Sequence, residues 1–480
     1  MSTFTIDARA AGKLFPHYWE RCVGSGHASL ALRRDWQEHL RQCHDELGFK
    51  FVRFHGIFDD DMSVFTGRED DPYSFHNVGL IFDFLLSIGM KPFVELSFMP
   101  ERLASGTDTV FHYKGNITPP KDYEAWGNLV AALATYLQDR YGADEVERWF
   151  FEVWNEPNLV YFWSGTQAEY FQLYAHAAKA IKRVNPRFRV GGPSTAANAW
   201  VSETVAFCEK EGVPLDFVST HHYPTDVALG HFQNMEESMA AVPRGILRDM
   251  CATARQQAKH LPLFYTEWNN SPSCRDTFHD DPYAAAFVIK TLADNDGLVD
   301  MYSYWTFSDV FEEIYFSSKP FHGGFGLLNI HGLKKPTYHA FRLLRRMGET
   351  RLPICGEPEG TVECLATRTS SGVGVLLYNH NIPKSPIQEE AVTVCLKGVP
   401  ATARVTLTRV DECHGNPKAL WARDGSKQYP TQDELHRFDE ESAPIDECAA
   451  LEACEDGACI RVTVQPHGVV GLFIEGLLDD

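Results

Sequence analysis

No run in this sequence approaches the roughly 20 consecutive apolar residues that a membrane-spanning helix requires. Its first ten residues, Met-Ser-Thr-Phe-Thr-Ile-Asp-Ala-Arg-Ala, carry no apolar signal core. No membrane partner is expected, and the chain reads as cytoplasmic. Basic residues are in the minority: 44 Lys and Arg stand against 65 Asp and Glu, a net charge of −21. A surface of that sign repels phosphate backbones and anionic headgroups, so no nucleic-acid partner is expected either. It says little against a neutral substrate. The motifs of several enzyme classes are missing too. Neither a GxGxxG turn nor a P-loop occurs, there is no HExxH and no HxH after the first strand, and no GxSxG elbow appears. His17 and His27 do not make a ligand pair, so no cofactor and no metal is expected. The twelve cysteines form no CxxC pair and no zinc-type spacing. Cys448, Cys454 and Cys459 gather near the end with Cys413 upstream, and in a cytoplasmic chain free thiols are expected there rather than a disulfide.

What is present is size, core and alternation. With 480 residues, 44% of them hydrophobic, the chain fits one large domain and a smaller one. Strand patterns fall at residues 15–23, 49–55, 91–97, 148–156, 187–192, 215–222, 262–267 and 299–305. Helical patterns follow them at 29–47, 77–88, 123–141, 168–184, 200–212, 245–260, 283–295 and 337–347. Eight such units predict an α/β fold, a (β/α)8 TIM barrel over residues 14–347. A doubly wound open sheet would usually carry the glycine-rich phosphate turn that is missing. Beyond residue 348 short alternating runs at 372–378, 391–396, 403–408 and 460–464 predict an accessory antiparallel β-sandwich, built from residues 1–13 plus 348–480. Residues 411–455 are polar and weakly periodic and read as a long loop region.

Two strands end in acids. Arg148-Trp-Phe-Phe-Glu-Val-Trp-Asn-Glu-Pro-Asn158 is an apolar, aromatic run that Pro157 must stop, because proline donates nothing to a strand ladder. Pro262-Leu-Phe-Tyr-Thr-Glu-Trp-Asn269 has the same design. Glu156 and Glu267 are thereby placed at the C-terminal ends of strands four and seven, the rim where barrel active sites lie. Two facing carboxyls, one protonated and one ionised, are the equipment of glycoside hydrolysis. Glu152 lies four residues below Glu156, roughly 13 Å at the rise of a strand, and Glu95 sits inside its run. Both read as core or ion-pair residues. Arg53 and His55 share one face of strand two, His221 and Tyr223 share one face after strand six, and His222 points the other way. Trp305 ends strand eight, with Glu312 in the loop beyond.

These stretches resemble the clan A retaining glycosidases, and in detail glycoside hydrolase family 39, which holds β-xylosidases and α-L-iduronidases. The likeness is carried by Gly24-Ser-Gly-His27, Val52-Arg-Phe-His-Gly56, Phe111-His-Tyr-Lys-Gly-Asn116, Glu152-Val-Trp-Asn-Glu-Pro-Asn158, Thr220-His-His-Tyr223, Thr266-Glu-Trp-Asn269 and Tyr304-Trp-Thr-Phe-Ser-Asp-Val-Phe-Glu312. The resemblance implies Glu156 as acid/base, Glu267 as nucleophile and Asn155 as a contact of the sugar 2-hydroxyl. It implies that His27, His55, His221, Tyr223, Trp305 and Glu312 line the non-reducing sugar, that Phe111 and Phe162 wall the aglycone side, and that Trp305–Thr306 is a candidate cis peptide. Asp309, Glu312 and Glu313 in the loop after strand eight would repel a uronate. The expected activity is therefore retaining exo-hydrolysis of β-xylosidic bonds in xylo-oligosaccharides or aryl xylosides, small neutral substrates. A family 39 glycosidase for another neutral glycoside is the alternative within the class, and a non-catalytic carbohydrate-binding protein is the alternative outside it.

Overall fold

The computed structural model describes residues 2–228 and 234–476. Eight parallel strands close a barrel: β1 (Cys22–His27), β2 (Phe51–His55), β3 (Lys91–Leu96), β4 (Phe150–Val153), β5 (Arg189–Thr195), β6 (Phe217–His222), β7 (Leu263–Trp268) and β8 (Met301–Tyr304). Each pairs with the next in sequence, and Tyr304 of β8 meets Val23 of β1 to close the ring. The helices Arg34–Leu47, His76–Ser87, Tyr123–Tyr141, Gln167–Val184, Val201–Glu211, Ile246–Gln257, Pro282–Asp294 and Pro336–Arg345 lie between and after them. Local signals close and open them. Gly48 closes the first at φ 82°, a left-handed value that favours glycine, and Thr166 and Glu169 form a reciprocal capping box that opens the helix after β4. No helix among the described residues is long and apolar enough to cross a membrane.

The first strand is displaced from its expected place. Residues 15–19 are apolar, but Pro16 has no N–H for a ladder, and Tyr18 N turns back to Pro16 O at 2.8 Å. Phe15, Tyr18 and Trp19 instead fill the core. The strand that closes the barrel is Cys-Val-Gly-Ser-Gly-His, whose glycines give little strand signal. A Cβ on Gly24 would stand 2.4 Å from Trp305 Cε3, so the small residue is what lets the Trp305 ring lie against β1.

The inside of the barrel is layered. Phe93, Phe150, Phe217 and Phe264, with Cys22 and Met301, form a buried aromatic floor; Phe150 and Phe264 have centroids 5.1 Å apart and Phe217 and Phe264 4.8 Å. Side chains two residues further along a strand share its face. Above Phe51, Phe93, Phe150 and Phe264 therefore stand Arg53, Glu95, Glu152 and Thr266, a charged layer directly beneath the C-terminal rim.

Two further sheets pack on each other. One runs Ile354–Cys355, Thr3–Asp7, Glu390–Lys397, Gly457–Val464, Glu452–Cys454; the other runs Asp446–Ala449, Arg404–Val410, Val469–Glu475, Gly372–Asn379, Val362–Arg368, Thr350–Arg351, Lys13–Leu14. Ile6, Val375, Leu377, Val394, Val462 and Leu472 lie in the core between them. The ladders are antiparallel except that Thr3–Asp7 pairs in parallel with Glu390–Lys397. The stretch expected as a long loop contains two helices, Pro417–Arg423 and Gln432–Ser442. They are short and bury only a narrow stripe: Trp421, Leu435 and Phe438 pack on Phe321 and Leu333 of the loop after β8. Such a stripe in a polar segment leaves almost no periodic signal.

Candidate active site

β4 ends at Val153, and the chain then turns sharply. Trp154 has φ 75° and Glu156 φ 43°. Each left-handed non-glycine residue costs about 1–3 kcal/mol and persists only where its surroundings enforce it. Glu156 N is held by Ser194 O at 2.8 Å. The turn delivers Asn155 and Glu156 to the barrel mouth together. On β7 a register shift between Tyr265 and Trp268 does similar work. It lets two consecutive residues face inward: Thr266 Oγ1 donates to Glu152 Oε1 at 2.8 Å, and Glu267 receives Arg53.

One oxygen of Glu156, one of Glu267 and a ring nitrogen of His221 lie within 4.8 Å of one another. Both carboxyls are buried, at 8% and 5% exposure. Their surroundings differ. Glu267 Oε1 accepts from Arg53 Nη1 at 3.0 Å and Oε2 from Tyr223 Oη at 3.1 Å, and His55 Nε2 stands 3.6 Å away. Among the described residues Glu156 has no cation in contact. Burial pushes both carboxyls up. For Glu156 the charges of Glu267 and Asp226 add to burial, and it rises well above the ordinary value. For Glu267 the charges of Arg53 and His55 oppose burial. The pair is split so that Glu156 holds a proton where Glu267 has lost one.

His221 extends this asymmetry. Its Nδ1 is 2.9 Å from Glu156 Oε1 and its Nε2 3.0 Å from Thr266 Oγ1. Thr266 spends its hydroxyl proton on Glu152, so its oxygen accepts from His221 Nε2–H. Burial, with the charges of Arg53 and His55, holds His221 well below the usual imidazole range and keeps it neutral. Nδ1 then carries the lone pair and accepts from the carboxylic acid of Glu156. His222, as expected, points outward, with its Nε2 2.5 Å from Tyr302 Oη.

Around the pair the remaining expected residues come together. His55 Nδ1 meets Glu95 Oε2 at 2.8 Å, and its ring lies 4.9 Å from that of Trp305. The Trp305–Thr306 peptide is cis. His27 Nδ1 meets Glu312 Oε1 at 3.1 Å, while its Nε2 faces Asp59 at 3.1 Å and Asp61 at 3.3 Å. Burial alone would lower its pKa, but the three carboxylates raise it to about 11. His27 is therefore an imidazolium bridging acids, although its donors with those of Asp59 and Asp61 also have the spacing of a metal group. Phe111 and Phe162 stand edge to face, 5.5 Å apart, on one side of the mouth, and Phe111 lies 6.3 Å from His55.

Two residues that the sequence brings to the rim take parts it did not assign, and a third is placed elsewhere. Arg53 is the hub: fully buried, it also donates through Nε to Glu152 Oε2 at 2.5 Å and through Nη2 to Asn155 Oδ1 at 2.8 Å, and its Nη2 is 2.8 Å from Glu95 Oε2. A lone arginine inside the run Phe-Val-Arg-Phe-His, at the same parity as the acids of neighbouring strands, was the available signal. Glu313 is the second, with its Oε1 3.7 Å from His55 Nε2 and its pKa pushed by burial to about 8 despite the His55 charge. The third is a correction. Asp309 does not face a sugar; it is fully buried against Lys335 Nζ at 2.7 Å, and Gly326 N donates to its other oxygen.

The model of glycosyl hydrolases family 39 matches residues 3–457. A β-xylosidase of Caldicellulosiruptor saccharolyticus is 50% identical over 467 residues, 95% of each chain. A β-xylosidase of Geobacillus stearothermophilus is 36% identical over 433 residues, 87% of this chain and 85% of that one. The crystal structure of a monomeric β-xylosidase from Caulobacter crescentus CB15 superposes with a TM-score of 0.88 at 32% identity, covering 100% of both chains. With the acid pair at the strand ends and a match along nearly its whole length, this chain belongs to glycosyl hydrolase family 39.

Proposed function

We propose that this enzyme is a retaining β-xylosidase acting on the non-reducing ends of small neutral xylo-oligosaccharides. The observation that carries the mechanism is that Glu156 and Glu267 close on the same His221 Nδ1, with Oε1 atoms 2.9 and 3.7 Å from it, in unequal surroundings. Retaining enzymes hold their carboxyl groups about 5–5.5 Å apart, and inverting ones leave a wider gap for water. In the first step Glu267 attacks the anomeric carbon while Glu156 gives its proton to the glycosidic oxygen, and the aglycone leaves as an alcohol. In the second, Glu156 takes a proton from water, the oxygen attacks the same carbon, and Glu267 leaves with the bond pair. The sugar is released with its configuration unchanged.

Asn155, whose Oδ1 accepts from Arg53 Nη2, takes the 2-hydroxyl. His27, His55, His221, Tyr223, Trp305 and Glu312 take the terminal sugar, and Phe111 and Phe162 the group that leaves. The name carried by relatives at 50% and 36% identity supports xylose. So does charge: Glu312 opposes a uronate carboxylate at that end of the cleft, whereas Glu313, with its pKa at about 8, is a neutral acid there at neutral pH and Asp309 is buried against Lys335. All twelve cysteines are free thiols, which fits a reducing compartment such as the cytoplasm. The test is hydrolysis of an aryl β-xyloside followed by proton NMR. The β-anomer of xylose should appear first and mutarotate afterwards. First appearance of the α-anomer overturns the retaining assignment, and faster turnover of another aryl glycoside overturns the choice of sugar.

A further inference from the structure

His27, the last residue of β1, is surrounded by more acid than one imidazole needs. Its Nδ1 faces Glu312 Oε1 at 3.1 Å and Ser29 Oγ at 3.0 Å. Its Nε2 faces two carboxylates of the turn after β2, Asp59 Oδ2 at 3.1 Å and Asp61 Oδ1 at 3.3 Å. Those separations are short, yet neither has the alignment of a hydrogen bond. His27 Nε2 and Asp59 Oδ2 are buried atoms with no hydrogen-bond partner among the described residues, on side chains that are 1% and 4% exposed. Buried polar atoms are rarely left so, and two that face one another call for a ligand between them.

The surroundings hold both atoms in place. Tyr113 stacks on the His27 ring, with centroids 3.7 Å apart and planes 7° from parallel. Phe98 N donates to Asp59 Oδ1 at 3.1 Å, which leaves Oδ2 free. Gly56, at φ 73°, keeps the space clear: a Cβ there would clash with Asp59 Oδ2 and stand 3.0 Å from His27 Cδ2. Asp61 is 45% exposed and opens the group to solvent.

We propose that His27 Nε2, Asp59 Oδ2 and Asp61 Oδ1 bind a divalent cation of the zinc type. The three side chains offer atoms that all lie within 4.8 Å of one another. Zinc holds imidazole nitrogen at about 2.0–2.1 Å and carboxylate oxygen at about 2.0–2.2 Å, so two ligands of a tetrahedral ion stand about 3.4 Å apart. The two separations from Nε2 are already close to that value, and half-exposed Asp61 has the freedom to close the third edge. Three protein ligands leave the fourth position to water. The imidazole favours zinc over magnesium or calcium, which take oxygen ligands. Glu312 at Nδ1 is the outer carboxylate that orients a ligating histidine. The competitor is the proton on Nε2. As the ion binds, Nε2 releases that proton to solvent, Nδ1 keeps its own towards Glu312, and the aspartates enter as carboxylates. The ion would tie β1 to the turn after β2 and, through Glu312, to the loop after β8.

The test uses the full chain, free of any histidine tag and stripped of metal, with Co2+ as the probe. One equivalent should give the visible bands of a tetrahedral ion without a sulfur-to-cobalt charge-transfer band, and Zn2+ should abolish them. D59N and D61N should each lose the bands, and their zinc affinity should fall by more than the roughly 10–100-fold that an outer-shell partner is worth. E312Q should keep the bands and lose about that 10–100-fold. D60N, whose carboxylate accepts from Glu101 N instead, should bind as the parent does. Added Zn2+ should raise the thermal midpoint of the parent and leave that of D61N where it was. Absence of the bands in the parent overturns the proposal, as does their survival in D59N and D61N. A sulfur-to-cobalt band places the ion on cysteine and overturns it too.

Discussion

Arg53 and Glu267 share a hydrogen bond of 3.0 Å from Nη1 to Oε1 at the top of a charged layer that the barrel floor supports. The same guanidinium reaches Glu152, Glu95 and Asn155. One cation thereby fixes the rotamer of the proposed nucleophile, lowers its pKa against burial, and orients the amide proposed to meet the 2-hydroxyl. R53K keeps the charge and removes the fork. Glu267 should lose its alignment and its pKa should rise, so the acid limb of kcat/KM should move to higher pH and kcat should drop on the order of 10²-fold, the scale of one lost preorganised donor. R53A should fare worse. Unpairing a buried ion costs about 3–5 kcal/mol, and three carboxylates would be left facing one another, which a large loss of thermal midpoint would register. A pH profile for R53K that matches the parent would count against the role.

The two acids should separate on substrates of different leaving group. E267A should lose roughly 10³-fold or more of turnover on every aryl xyloside, because no attack replaces it. E156A should lose about 10²–10⁴-fold on poor leaving groups and far less on nitrophenolates, which need little protonation. Added azide should restore turnover in E156A by entering where deprotonated water is otherwise needed. Equal losses across the series would remove Glu156 from the acid role.

Why these two acids were legible in the sequence, and their keeper was not, is a matter of range. Pro157 ends a strand locally, so Glu156 announces itself within a few residues. Arg53 is 99 residues from Glu152 and 214 from Glu267, and only barrel closure brings them together. The pairing of His221 with both Thr266 and Glu156 depends on register shifts in β6 and β7 that no periodicity reveals. β1 was misplaced because glycine, needed for Trp305 to approach, erases the strand pattern. Asp309 reads as a cleft residue in the sequence because its partner Lys335 lies beyond a loop of irregular sequence. The helices at Pro417–Arg423 and Gln432–Ser442 were hidden because their apolar stripe is satisfied by another part of the chain.

Asp226 offers a test of how Glu156 is kept protonated. Its Oδ2 accepts from Tyr223 N at 2.8 Å, and burial raises its own pKa to about 7. Above that pH its charge raises the pKa of Glu156. D226N preserves the acceptor and removes the charge. Ionised Glu156 then becomes easier to form, its pKa falls, and the alkaline limb of kcat/KM should shift to lower pH. The acid limb, which reports ionisation of Glu267, should stay. The shift should vanish when the same comparison is made in E156A on an activated substrate. An alkaline limb unmoved by D226N would assign that limb to another group.

Lys335 should matter to substrate binding although it never enters the cleft. Its ammonium is fully buried, 2.7 Å from Asp280 and 2.7 Å from Asp309, and it donates to Gly324 O at 2.9 Å. Gly323 N and Gly326 N donate to the other oxygens of the two carboxylates. The loops after β7 and β8 are thus riveted together, and the second of them carries Glu312 and Glu313. K335M leaves two buried carboxylates without their cation. Stability should fall by about 3–5 kcal/mol, visible as a lowered thermal midpoint. The loop should lose its anchor, and KM for aryl xylosides should rise more than kcat falls, because the proposed proton donor and nucleophile sit on β4 and β7 and keep their own supports. K335M combined with D309N should recover part of the midpoint, since only one unpaired carboxylate remains, without recovering KM. A lowered midpoint with KM unchanged would make the rivet a stabiliser of the barrel with no hold on the sugar.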